Sequence, residues 1–158
     1  MTDLAQCRDI LADLIAFPTV SADSNLSAIS YIAERLEVAG ARVEVLRDDS
    51  GTKANLFATL GSERSGGLVL SGHTDVVPVV DQPWQSDPFA MVEREGRLYG
   101  RGACDMKGFI AACLTQLDVL AEAAQVRPIH FAFTYDEEVG CLGARDLVEV
   151  LKAREVHQ

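Results

Sequence analysis

The sequence predicts an α/β fold, a mixed and partly parallel sheet flanked by helices. Three observations carry that expectation. Short runs of Val, Leu, Ile, Phe and Ala alternate along the chain with longer segments whose apolar residues recur every three or four positions. The polar residues richest in chemistry, His73, Asp75, Glu137 and Glu138, directly follow such short runs, where loops leave a sheet and ligands gather. With 158 residues, 48% of them hydrophobic and 24% charged, the chain has the length and balance of one ordinary globular domain.

The elements follow in order. Residues 3 to 16 place Leu4, Leu11, Leu14 and Ile15 at helical spacing, and Phe17-Pro18 ends the pattern. Ser24 or a neighbour caps a second helix with Ile29, Ile32, Ala33 and Leu36 on its buried face and Gly40 as its stop. Residues 42 to 46, 54 to 60 and 67 to 71 read as strands, the last two separated by a polar turn from Gly61 to Gly67 that contains Ser62, Glu63, Arg64 and Ser65. Met91 to Tyr99, interrupted at Glu95-Gly96, reads as a hairpin. Ile110, Cys113, Leu114, Leu117 and Leu120 make residues 105 to 124 the strongest helix in the chain. Ile129 to Tyr135 is a strand, and residues 141 to 152, with Leu147, Val148 and Leu151, form a closing helix. No internal repeat, low-complexity tract or linker interrupts this order.

Charge and cysteine usage narrow the function classes. The net charge is −10, from 24 acidic and 14 basic residues, and no Lys or Arg cluster tracks a phosphate backbone, which disfavours nucleic acid as a partner. Apolar runs stay short of the roughly 18 residues that cross a bilayer. Cys7, Cys104, Cys113 and Cys141 form no Cys-x-x-Cys pair, and the first residues lack a basic region followed by an apolar stretch, so a reducing cytoplasm is expected.

Six residues in three segments stand out as chemistry. His73 offers an imidazole nitrogen of the kind zinc takes, and Asp75, two residues on, is placed to receive the other ring N–H; the alternative is a His and an Asp in an ordinary loop. Asp105 is bracketed by Gly100, Gly102 and Gly108, which let a loop hold its carboxylate rigidly, although an Asp at this position is also a common helix N-cap. Asp136, Glu137 and Glu138 set three carboxylates side by side, where like charges repel unless a cation neutralises them; a solvated acidic turn is the other reading. Residues leaving a strand in succession point in different directions, so one Glu can bind a metal while its neighbour reaches water. Cys104 reads as a packed, inert small residue, His130 as structural, and His157 as lying outside any metal set.

The runs Ser71-Gly-His-Thr-Asp-Val-Val-Pro78, Trp84-Gln-Ser-Asp-Pro-Phe89, Leu98-Tyr-Gly-Arg-Gly-Ala-Cys-Asp-Met-Lys-Gly-Phe109 and Thr134-Tyr-Asp-Glu-Glu-Val-Gly140 resemble the M20 metallopeptidase family, in the family's order. Within it, Trp84 to Phe89 looks most like the branch that deacetylates N-acetylornithine rather than the one acting on N-succinyl-diaminopimelate. The resemblance implies two zinc ions, with cobalt as a substitute. It assigns His73 to one ion, Asp105 to a bridging position and Glu138 to the second ion, makes Glu137 the general base, and sets Asp75 behind His73. The substrate it implies is a small N-acyl amino acid; the other readings are a peptide substrate, or a non-catalytic relative that serves as a binding protein. Family members take one more carboxylate and one more histidine ligand, and a lid and dimerisation domain, from segments with no match here. The expectation is therefore the first part of a catalytic domain, which by itself binds metal weakly and is nearly inactive, from a protein that is a homodimer when complete.

Overall fold

The computed structural model describes residues 4–62 and 66–153. Its elements are helices α1 (Leu4–Ala16) and α2 (Leu26–Val38), strands β1 (Arg42–Arg47), β2 (Ala54–Leu60), β3 (Leu68–His73), β4 (Val92–Arg94) and β5 (Arg97–Tyr99), helices α3 (Lys107–Thr115) and α4 (Leu117–Ala123), strand β6 (Ile129–Thr134) and helix α5 (Leu142–Ala153). The main sheet has the order β1-β2-β6-β3. The β1–β2 and β2–β6 pairs are antiparallel and β3–β6 is parallel, so the sheet is mixed and partly parallel. The crossover from β3 to β6 carries α3 and α4, as a parallel connection requires.

The strands' alternating side chains divide the core into two layers. Ala54, Leu56, Ala58 and Leu60 of β2, with Ile129, Phe131 and Phe133 of β6, share one cluster with Ile10, Leu14 and Ile15 of α1, Ile29, Ile32 and Leu36 of α2 and Ile110 and Leu114 of α3. Phe57 and Ala132, on the opposite face, meet Leu147 of α5. Every residue of β2 is buried, which is the pattern of a central strand covered on both faces.

Local chemistry explains most boundaries and corrects several expectations. In α1 burial begins at Ile10, and Leu4, expected on the buried face, is 72% exposed. At α2 the cap position is Asn25, the neighbour of Ser24; the Asn25 side chain makes no capping bond, while the Ser24 hydroxyl accepts from the Leu26 N–H at 3.3 Å. Asn25 clasps β2 instead, accepting from the Ala54 N–H at 2.9 Å and donating to the Ala54 carbonyl at 2.8 Å. Gly40, at φ +84, ends α2: its N–H reaches the Glu37 carbonyl, and the Ala41 N–H reaches Leu36, both at 2.9 Å, which satisfies two orphan acceptors. The expected single helix over 105 to 124 begins at Lys107 and divides at Gln116, where the Thr115 hydroxyl donates to the Ala111 carbonyl at 2.7 Å and competes with the helical ladder. The β4–β5 hairpin turns at Glu95-Gly96 as expected. Val148 of α5 is 46% exposed, and the apolar side of that helix rests on Leu147. Of the polar turn between β2 and β3, Glu63, Arg64 and Ser65 lie outside the described residues, as does His157.

Candidate metal centre

Parallel pairing of β3 with β6 sets His73 opposite Thr134, so both strands deliver their following residues to one end of the sheet. His73 is the last strand residue, two positions beyond the expected strand end, and it is buried. Its Nδ1 lies 2.9 Å from the Asp75 carbonyl oxygen. A carbonyl only accepts, so Nδ1 carries a proton, and it is Nε2 that, once it gives up its own proton, offers the lone pair a metal can use. Nε2 points at Asp105 Oδ1, 3.0 Å away. Burial pushes the imidazole pKa down, but hydrogen bonds to Asp75 and Asp105 and the Asp75 charge outweigh it and raise the value to about 9.

The Asp75 carboxylate is 3.5 Å from His73 Nδ1, and its closer partners are elsewhere. It accepts from the Ser21 hydroxyl at 2.6 Å and from the backbone N–H groups of Glu137 and Glu138 at 3.1 and 3.3 Å. Burial opposes its charge, yet His73, Ser21 and the two amides together hold its pKa below the ordinary value. Asp75 thus ties β3 to the turn after β6. Ser21 comes within reach because residues 19 to 21 run beside 74 to 76, with the Val76 N–H on the Thr19 carbonyl at 2.9 Å and the Ser21 N–H on Val76 at 3.1 Å.

Asp105 is not a helix cap. The cap position of α3 is Met106, which makes no side-chain capping bond, and the Asp105 side chain is 74% exposed and directed at His73. The Asp105-Met106 peptide bond is cis. Gly108 permits the approach of the loop to the helix: a Cβ there would lie 2.4 Å from the Ala103 carbonyl oxygen. Cys104, expected to be packed, is exposed. His130 stacks on Phe57 at 5.5 Å and shares a hydrogen bond with Thr59 at 2.8 Å, in keeping with a structural part.

The three adjacent carboxylates separate. Asp136 turns inward, is buried, and finds its neutralising cation in Lys53, while Glu137 and Glu138 remain half-exposed. Asp136 leaves the strand at φ +54, and Glu137 then opens a turn closed by the Gly140 and Cys141 N–H groups on its carbonyl, both at 3.1 Å. Strand alternation no longer applies, so both Glu side chains face His73. One ligand atom each from His73, Glu137 and Glu138 fall within 4.8 Å of one another. Burial and the charges of Asp105, Glu137 and Asp75 raise the Glu138 pKa, with His73 acting the other way. Carboxylates crowded to that extent are relieved by a cation, and a set of one imidazole nitrogen with carboxylate oxygens suits zinc and related divalent ions.

The family model for Peptidase family M20/M25/M40 matches residues 69–158. This chain belongs to that family. Among curated relatives of the M20 chain, the acetylornithine deacetylase of Myxococcus xanthus is 43% identical over 98% of the chain and 41% of its own length. That of Pasteurella multocida (strain Pm70) is 41% identical over 86% of the chain and 37% of its own length. The chain therefore spans about two fifths of the curated relatives it matches. Human carnosine dipeptidase 1 superposes with a TM-score of 0.80 at 28% identity, covering 97% of this chain and 37% of that one. An M20 metallo-carboxypeptidase of Sulfolobus solfataricus shares the fold with a TM-score of 0.81 at 22% identity, over 94% of this chain and 35% of that one. M20 members are hydrolases, and the family is metal-dependent.

Ser21 and Lys53 are site residues that sequence reasoning missed. Neither belongs to a recognisable motif, and each reaches the site only through strand pairing.

Proposed function

We propose that the complete protein hydrolyses the amide bond of N-acetyl-L-ornithine to L-ornithine and acetate, as a cytoplasmic step of arginine biosynthesis, with two zinc ions and as a homodimer. The observation that carries the hydrolytic reading is the convergence of His73, Glu137 and Glu138 within 4.8 Å, with Asp105 beside His73. The substrate reading is supported by relatives of about 40% identity that bear the name acetylornithine deacetylase. The four cysteines are free, which fits a reducing compartment.

In this reading His73 Nε2, Asp105 and Glu138 hold the metal, and Asp75 keeps the imidazole in the tautomer that exposes Nε2. Bound zinc would polarise the acetyl carbonyl and lower the pKa of water. Glu137 takes a proton from the attacking water and hands it to the departing amine nitrogen as the C–N bond breaks, so that acetate and ornithine leave with atoms balanced. The half-exposed Glu137 carboxylate can reach both water and substrate, whereas the buried Asp136, occupied by Lys53, cannot.

A second substrate class is favoured by the likeness to carnosine dipeptidase 1, namely a dipeptide. The deciding experiment measures kcat/KM of the complete protein, loaded with zinc, on N-acetyl-L-ornithine, N-succinyl-diaminopimelate and a dipeptide. Clear preference for the acetylated substrate, abolished by Glu137→Gln and by chelation, is expected. Comparable turnover of the first two overturns the substrate assignment, and activity that survives chelation overturns the metal reading.

A further inference from the structure

Lys53 precedes β2 and Asp136 follows β6, and the antiparallel pairing of these strands, with Leu56 opposite Phe133, brings the two residues together at the end of the sheet that carries His73. Lys53 Nζ lies 2.6 and 2.7 Å from the two Asp136 carboxylate oxygens and 2.5 Å from the Ser21 carbonyl oxygen. The side chains are 16% and 9% exposed. An ion pair withdrawn from water to this degree is held in a defined geometry, unlike a surface pair, and removal of one partner strands the other. The proposed hydrolysis uses neither residue.

Asp136 is the hinge of the acidic turn. Its positive φ ends β6 and sets the direction in which Glu137 and Glu138 leave. From Lys53 the hydrogen bonds close a ring. The ammonium grips Asp136 on one side and the Ser21 carbonyl on the other; the Ser21 hydroxyl donates to Asp75 Oδ2; and the Asp75 carboxylate accepts the N–H groups of Glu137 and Glu138. The start of the turn is thereby held from two sides, by Lys53 through Asp136 and by Asp75 through the two following amides.

We propose that the Lys53–Asp136 ion pair is a positioning element that aims the Glu137 and Glu138 carboxylates at His73, so that metal affinity depends on a lysine that touches neither metal nor substrate. This inference rests on the metal-centre reading given above. A pair that merely stabilised the sheet end would change overall stability without acting selectively on the turn.

The test uses the 158-residue chain, stripped of metal and titrated with Co(II) under visible absorption and calorimetry, in the parent and in Lys53→Met, Asp136→Gly and the double variant. Glycine at 136 adopts the left-handed backbone without strain, so that substitution removes the tether and not the permitted conformation. Each single variant is expected to bind Co(II) about tenfold to a hundredfold more weakly, the range for residues behind metal ligands. The double variant should be no weaker than the worse single, because both substitutions break one interaction. Lys53→Arg, which keeps the charge, should recover part of the affinity. In metal-free protein, hydrogen exchange at the Glu137 and Glu138 amides should accelerate in both singles while the β2 and β6 amides stay protected. Parental Co(II) affinity with unchanged exchange at 137 and 138 overturns the proposal, and so does acceleration spread evenly over the sheet. If the parent chain binds Co(II) too weakly to titrate, the same variants are titrated in the complete protein; no Co(II) binding there overturns the metal-centre reading, while exchange at those two amides still decides the positioning inference either way. Should Lys53→Met not fold, Asp136→Asn keeps shape and left-handed tolerance while removing the charge, and the same comparison applies.

Discussion

His73 shows how much of a site can be set by one side chain's two nitrogens. Nδ1–H is committed to the Asp75 carbonyl, and Nε2 faces Asp105, so the folded, metal-free chain binds a proton on this ring more tightly than the unfolded chain does. With the pKa raised from 6.5 to about 9, the stability contributed by the protonated ring is fully present below pH 6.5 and is lost as the pH rises through 9. Urea unfolding in EDTA should therefore show the advantage of the parent over His73→Gln shrinking across that window; a constant difference would refute it. The same residue was legible from sequence as a ligand candidate, since imidazole two residues before a carboxylate is a recognisable pattern. The role of Asp75 as an acceptor for Ser21 and for two amides of a distant turn was not, because its partners lie more than 50 residues away in sequence.

Among elements, α3 and the loop before it carry the tightest local constraint. The sequence placed a helix here on the spacing of Ile110, Cys113 and Leu114, all of which are buried. Where that helix begins was decided by the backbone: the Gly108 position packs against the Ala103 carbonyl, and the Lys107 N–H reaches the Gly102 carbonyl at 2.9 Å. A methyl group at Gly108 must move backbone atoms rather than a flexible side chain, so Gly108→Ala is expected to cost about 2 kcal/mol. It should also displace Asp105, lowering both the urea midpoint and zinc affinity in one variant. Unchanged values of both would show that the loop yields freely. The Asp105 cap reading failed for a related reason. Periodicity locates the middle of a helix well, but the first residue depends on what the preceding loop touches, and Asp105 is directed at His73.

For the molecule as a whole, the sheet order leaves β3 paired on one side only among the described strands. Leu68 and Val69 on this strand are 53% and 46% exposed. Val69 also borders an apolar groove of about 570 Å³ with Phe57, Ala132, Leu147 and Val148. An unpaired, apolar strand edge is a template for pairing with another chain. The chain should self-associate, and Val69→Lys, which puts a charge on that edge, should shift sedimentation towards monomer without lowering the thermal midpoint by more than about 1 kcal/mol equivalent, as befits a half-exposed position. A monodisperse parent under the same conditions would refute the expectation.

The sequence by itself determined the α/β class, the order of strands and helices and which residues carry donor atoms suited to a metal, because hydrophobic period and donor type are local properties read within a few positions. Tertiary structure decided which of those residues meet. The parallel register of His73 with Thr134 brings the Glu pair to the histidine, the antiparallel register of β2 brings Lys53 to Asp136, and the turn begun at Asp136 aims both glutamates at His73. These are pairings between segments far apart in the chain. No local period encodes them, and they appear only when the sheet is assembled.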